Sequence, residues 1–301
     1  MTEKNDFLRF FFISFLWSLT FPLVKHLRLI GINVWSISFY QCFFSMLIMC
    51  SQNNLRDFLH KTVLRDIKLL IILGIIRNFF GIVILNYLLL SQSITNVTIA
   101  LLFIPFATLI LDCLVDNFRP SNNQMKGILL SIISIMVLIY DFNHVNHIAW
   151  YYMPLTLLVS LLFGVEAILL SKTEHKPNII LFWQNLTGAF LLFCLILCLK
   201  HINTSYVVLA LPIHIVCIAL LVSTLSIMAN NLFIRLTKSA GPSISTQINI
   251  AIVLFGCVYD KAIYGSMLMW HNLFLIFLMI MATKLILEKN QTSNRCIKHQ
   301  T

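Results

Sequence analysis

The sequence predicts an all-α membrane protein with ten transmembrane helices arranged as two inverted five-helix repeats. Three observations carry that prediction: a large apolar surplus, alternating positive charge in the connectors, and a recurring offset near 145 residues. Of the 301 residues, 59% are hydrophobic and only 11% are charged, with a mean hydropathy of +0.90. A soluble domain carries about 25% charged residues. So much apolar side chain cannot be hidden inside one water-exposed globule, and lipid becomes the main solvent. The net charge of +10 does not mark a nucleic-acid binder, because the positive residues fall in short connectors rather than on one basic face.

The apolar runs occupy residues 10–30, 34–50, 69–90, 97–115, 127–142, 149–171, 178–199, 207–234, 243–259 and 268–287. Most approach the ~20 residues a helix needs to cross ~30 Å of hydrocarbon. The second, fifth and ninth runs are shorter, so their ends are soft. The first run exceeds a signal-peptide core and lacks a small-residue cleavage site, so it is expected to be retained. The domain boundaries follow: a first five-helix repeat over 1–142, a second over 149–287, and a cytoplasmic tail over 288–301.

Lysine and arginine set the orientation. With the N-terminus inside, sixteen of the 21 positive residues fall in inside segments. Only Lys25, Arg28, Lys200 and Lys261 fall outside, and Arg77 lies within a span. This bias predicts a multi-pass protein of the inner (plasma) membrane with both termini cytoplasmic.

The repeat shows in matched positions. Trp17 and Phe163 are 146 residues apart, Gln41 and Gln184 143, Asn86 and Asn231 145, and Asn96 and Gly241 145. Five helices per half is an odd number, so the halves must lie in opposite orientation. Such inverted repeats commonly build carriers that rock around a site near the midplane.

WSLTFPLVK (17–25) resembles the first-helix signature of EamA-type carriers of the drug/metabolite transporter superfamily. The segment from Leu101 to Ile132, with Pro105, the Arg119-Pro120-Ser121 loop and Gly127, is similar to that family's fourth helix, loop and fifth helix. Two inverted sets of five helices are that family's plan. The chain departs from the pattern at Ser18, at Phe118 with Asp116 nearby, and at Tyr40–Gln41. The stretch 76–111, with an arginine early in the third helix, further resembles S-adenosylmethionine uptake carriers. The resemblance implies a secondary transporter of a small organic metabolite, an amino-acid-like or S-adenosylmethionine-like zwitterion, working by alternating access. The other class left open is a membrane-embedded enzyme or a lipid-handling protein.

Ionisable residues inside spans locate a candidate site, because each costs several kcal/mol unless paired or wet. Arg77 lies about nine residues into its run, roughly 13 Å at 1.5 Å per residue, too deep to snorkel. Its fork suits a carboxylate or phosphate; an ion pair with a membrane acid is the other reading. Glu166 sits midway along its run, within Phe163-Gly164-Val165-Glu166-Ala167, and answers to a substrate cation, to a proton, or to Arg77 itself. For a zwitterion, Arg77 would hold the carboxylate and Glu166 would face the ammonium or sulfonium. Lys25 and Asp112 lie nearer the span ends, where snorkelling or an interfacial place competes with a gating or coupling role.

The neutral polar set is Gln41, Asn86, Gln184, Asn230, Asn231, Gln247 and Asn249, which either line a cavity or join helices. Trp17, Tyr40 and Trp183 offer walls for an apolar part of a ligand, or sit at the membrane interface. Pro22 bends the first helix by removing one hydrogen bond. No catalytic motif, cofactor or metal site is expected: the cysteines read as buried hydrophobes, and His144 and His147 read as loop residues rather than ligands. With nine glycines in the chain, no phosphate cradle is present. The expected partners are a small-molecule substrate and the lipid bilayer, with no nucleic acid, and the expected unit is a monomer.

Overall fold

The structure, a computed structural model, describes residues 3–52, 55–115, 121–123, 125–127, 129–130, 133–134, 152–202, 212–265 and 270–287. Among them every long element is a helix: α1 (Glu3–Leu29), α2 (Val34–Gln52), α3 (Ile67–Ser91), α4 (Ile94–Val115), α5 (Tyr152–Ser171), α6 (Pro177–Ile202), α7 (Ile213–Ala240), α8 (Pro242–Tyr264) and α9 (Trp270–Leu287). Eight of these helices, α1 to α8, are long and apolar enough to cross a membrane. The fifth apolar run, at 127–142, lies largely outside the described residues, as do the tail from 288 to 301, His144 and His147.

Helix ends follow their local chemistry. Ser93 caps α4, its hydroxyl accepting from the Asn96 amide at 3.1 Å. Gly241, at φ 91° and ψ 163°, adopts a conformation reserved for glycine, so the chain leaves α7 and enters α8 within one residue. Pro242 then opens α8 at the position where its missing N–H costs nothing. The outward faces carry apolar side chains such as Phe12, Leu47, Phe80, Phe190 and Leu220, as lipid contact requires.

Three of the spans are irregular. The middle of α3, Ile75–Gly81, winds as a π-helix. The α4 span breaks at Leu102–Phe103, just before Pro105, and the α8 span breaks at Thr246–Gln247. Backbone groups released inside a membrane are tolerated only where they are buried in protein or line a wet cavity.

Helix directions can be read from contacts. Moving along α4 from Ala100 to Thr108 moves along α5 from Ser160 to Gly164, so α4 and α5 run parallel. Ser14 meets Ile248 and Pro22 meets Tyr264, so α1 and α8 are also parallel. Thr95 meets Asp260 and Thr98 meets Gly256, which makes α4 and α8 antiparallel. Arg77 meets Glu166 and Gly81 meets Phe163, which makes α3 and α5 antiparallel. The main packing partners are α1 with α7 and α8, α5 with α3 and α4, α2 with α6 and α7, α6 with α3, and α4 with α8.

Candidate functional site

Arg77 is held inside the bundle by the π-helical stretch of α3. A π turn adds a residue to the hydrogen-bonded loop and re-aims the side chains that follow, and such turns recur at functional sites. Glycines bracket it. A Cβ on Gly74 would lie 2.7 Å from Thr187 Cβ on α6, and one on Gly81 would lie 2.7 Å from the Phe163 ring on α5. Their bare backbones let α5 and α6 close around the arginine, which is 7% exposed.

The guanidinium is nearly enclosed. One terminal nitrogen donates to Glu166 Oε2 at 2.5 Å, and the other donates to Asn230 Oδ1. The rings of Trp17 and Phe163 each lie 5.5 Å from its central carbon, close enough for cation–π attraction. Trp17 Nε1 donates at 3.0 Å to the same Asn230 oxygen, which ties α1, α3 and α7 at one atom. Gln184 Nε2 donates at 3.1 Å to the second oxygen of Glu166, a carboxylate that is 1% exposed. Arg77 Nε finds no partner. A buried donor left without an acceptor is costly, and Arg77 stands at the wall of a cavity.

A cavity enclosing about 670 Å³ of empty space, its open mouth included, adjoins this pair. Trp17, Thr20, Phe21, Gln41, Arg77, Phe163, Glu166, Ser226, Asn230, Phe233, Thr246 and Asn249 are among its walls. Both helix breaks reach it: Leu101 and Ile104 flank the α4 break, and Thr246 and Asn249 flank the α8 break. The two breaks are 144 residues apart, close to the repeat offset.

Of the residues singled out from sequence, Arg77, Glu166, Trp17, Gln41, Asn230 and Asn249 meet at this cavity. Gln184 stands behind Glu166. Asn86 stands behind Gln41, donating to Ser38 at 2.9 Å and to Gln41 Oε1 at 3.4 Å. Gln41 in turn donates to Ser226 at 3.1 Å. The structure places five others away from the wall. Asn231 donates to Asn178 at 2.5 Å on the far side of α7, and its neighbour Asn230 takes the inward position. Tyr40 packs along α2 between Phe39 and Phe44. Gln247 is buried at the α8 break with its amide nitrogen unpartnered, outside the lining. Asp112 lies further along α4. Lys25 reaches the carbonyl of Gln92 at 3.2 Å, beyond the cavity.

Sequence reasoning missed Asp260. This carboxylate is 0% exposed and accepts from the Thr95 amide at 3.1 Å, at the first turn of α4. Negative charge at a helix N-terminus is favoured there. The only sequence signal was an acid at the end of an apolar run. The π turn left a fainter one, the glycine pair around Ile75–Phe80.

Residues 7–140 match the model of the EamA-like transporter family. No curated protein matches the chain. The members of that family are transporters rather than enzymes. Over its first half the chain is thus similar to EamA-like transporters, and this similarity, with eight apolar helices, points to a multi-pass membrane transporter of the drug/metabolite type.

Proposed function

We propose that the protein is a secondary carrier that moves a small zwitterionic metabolite, amino-acid-like or S-adenosylmethionine-like, across the inner membrane by alternating access. The observation that carries this reading is the buried Arg77–Glu166 pair at a cavity where two broken helices meet. Both signs of charge and several amides converge at one point. A zwitterion can replace the internal pairing with its own, its carboxylate taking Arg77 and its cation taking Glu166. Half-helix breaks at corresponding positions are a common way for carriers to build such a site.

Two inverted repeats, 1–142 and 149–287, account for the packing. Laying α1, α2, α3 and α4 on α5, α6, α7 and α8 turns the α1–α7 contact into α5–α3, α1–α8 into α5–α4, and α2–α7 into α6–α3. The α2–α6 and α4–α8 contacts map onto themselves. Each helix pair related in this way runs in opposite directions. The parallel course of α4 and α5 supports the ten-helix reading. Trp17 and Phe163, matched by the repeat offset, each lie 5.5 Å from the central guanidinium carbon of Arg77.

The positive-residue bias supports a cytoplasmic location for both termini. Reporter fusions after Thr301 should report a cytoplasmic end, and an external signal would contradict the ten-helix topology. Substrate class is tested by uptake of labelled metabolites into proteoliposomes. Saturable uptake of a zwitterion is expected; uptake of none of the panel, or of plain anions alone, would count against the site.

A further inference from the structure

Each end of the helix bundle is fastened by a lysine. Where α1 finishes, Lys25 Nζ donates at 3.2 Å to the Gln92 carbonyl in the α3–α4 connection. It also lies 4.7 Å above the Tyr264 ring, whose hydroxyl donates at 3.2 Å to the Pro22 carbonyl. At the opposite end, where α7 finishes, Lys238 Nζ donates to the His175 carbonyl in the α5–α6 connection. An offset of 145 carries Gln92 to Thr237, the neighbour of Lys238, and an offset of 146 carries Lys25 to Ser171, which opens the connection that holds His175. The two bonds therefore join equivalent junctions of the two halves, with donor and acceptor exchanged.

Both lysines lie just beyond the cavity wall. Phe21 and Phe233 line the cavity; Lys25 is four residues past the first and Lys238 five past the second. At 1.5 Å per residue those steps are about 6 and 7.5 Å. Each ammonium thus ties a helix end to a backbone connection at one end of the bundle.

We propose that Lys25 and Lys238 are matched gate fasteners. Breaking the Lys25–Gln92 bond opens the cavity to one face of the membrane, and breaking the Lys238–His175 bond opens it to the other. Each lysine bonds a backbone carbonyl and has a carboxylate nearby, Asp260 for Lys25 and Glu174 for Lys238, so the ammonium keeps an opposite charge in reach when the bond parts. This inference rests on the alternating-access reading, and its test observes opening of each end rather than transport, so the two can fail separately.

The test is hydrogen–deuterium exchange on the full chain in lipid nanodiscs. Lys25→Met should raise exchange in peptides covering 22–29 and 92–97 by about tenfold, the weight of one hydrogen bond to a charged group. Peptides covering 172–178 and 236–242 should stay at or below the parent rate. Lys238→Met should give the mirror pattern. Lys25→Gln and Lys238→Gln, which keep a neutral donor, should show the same signs at smaller amplitude, and they stand in should either methionine variant fold poorly. A rise at both ends in any single variant, or at neither end, would overturn the proposal.

Discussion

Glu166→Ala should destabilise the folded protein by about 3–5 kcal/mol, whereas the double variant Arg77→Met/Glu166→Leu should fold nearly as well as the parent. The single change leaves a buried guanidinium with Asn230 as its remaining polar partner and two aromatic rings around it. The double change removes both charges and fills their space with apolar atoms. Coulomb attraction in the interior offsets desolvation only while both partners are present. Unfolding in detergent micelles, followed for both single variants and the double, measures the coupling. Additive losses would mean that the pair is not the unit the geometry makes it. Despite its stability the double variant should not transport, because the proposed site needs both charges to hold a zwitterion.

Gly188→Ala should be the most damaging single-methyl change. Its added Cβ would stand 2.6 Å from Asn78 Cβ and 3.1 Å from Cys42 Sγ. Asn78 belongs to the π segment and donates to Asn185 at 3.1 Å, so it cannot move aside without pulling on Arg77. Overpacking of this kind costs about 1–3 kcal/mol. Transport should fall along with stability, because the strain is relieved by shifting the residue next to the arginine. A variant that melts and transports like the parent would show that α3 and α6 part freely.

The all-α membrane class was legible because its signal is collective. Apolar runs of membrane length average over many residues, and an error at one boundary leaves the pattern standing. Arg77 and Glu166 were legible for a related reason. An ionisable group in the middle of a span needs a partner, and the chain holds few others at that depth.

The rest depended on angles that sequence does not fix. Asn230 and Asn231 are adjacent on α7, where successive side chains differ by about 100° of rotation. The repeat offset from Asn86 selected Asn231, yet Asn86 itself lies behind Gln41, so the offset selected a helix face one step from the cavity. The π turn could not be read because the hydrophobic period around Ile75–Phe80 is too short to show one extra residue. Pro105 and Pro242 did mark the neighbourhoods of the two helix breaks. Asp260 escaped because, at the end of a run, a carboxylate capping a distant helix reads the same as one facing water.

The most direct measurement is transport by Arg77→Lys and Glu166→Gln in proteoliposomes, at matched protein content, with the zwitterion that the parent takes up. Arg77→Lys keeps the charge but loses the planar fork that grips a carboxylate. Glu166→Gln keeps the shape but loses the charge that answers the cation. Arg77→Lys keeps a cation beside Glu166 and Glu166→Gln keeps an oxygen that accepts from Arg77, so each retains more of the pair than Glu166→Ala does. Compared at matched folded protein, both should transport at least about tenfold more slowly, the equivalent of one lost contact of about 1.4 kcal/mol. Near-parental rates in both would contradict a zwitterion held between Arg77 and Glu166.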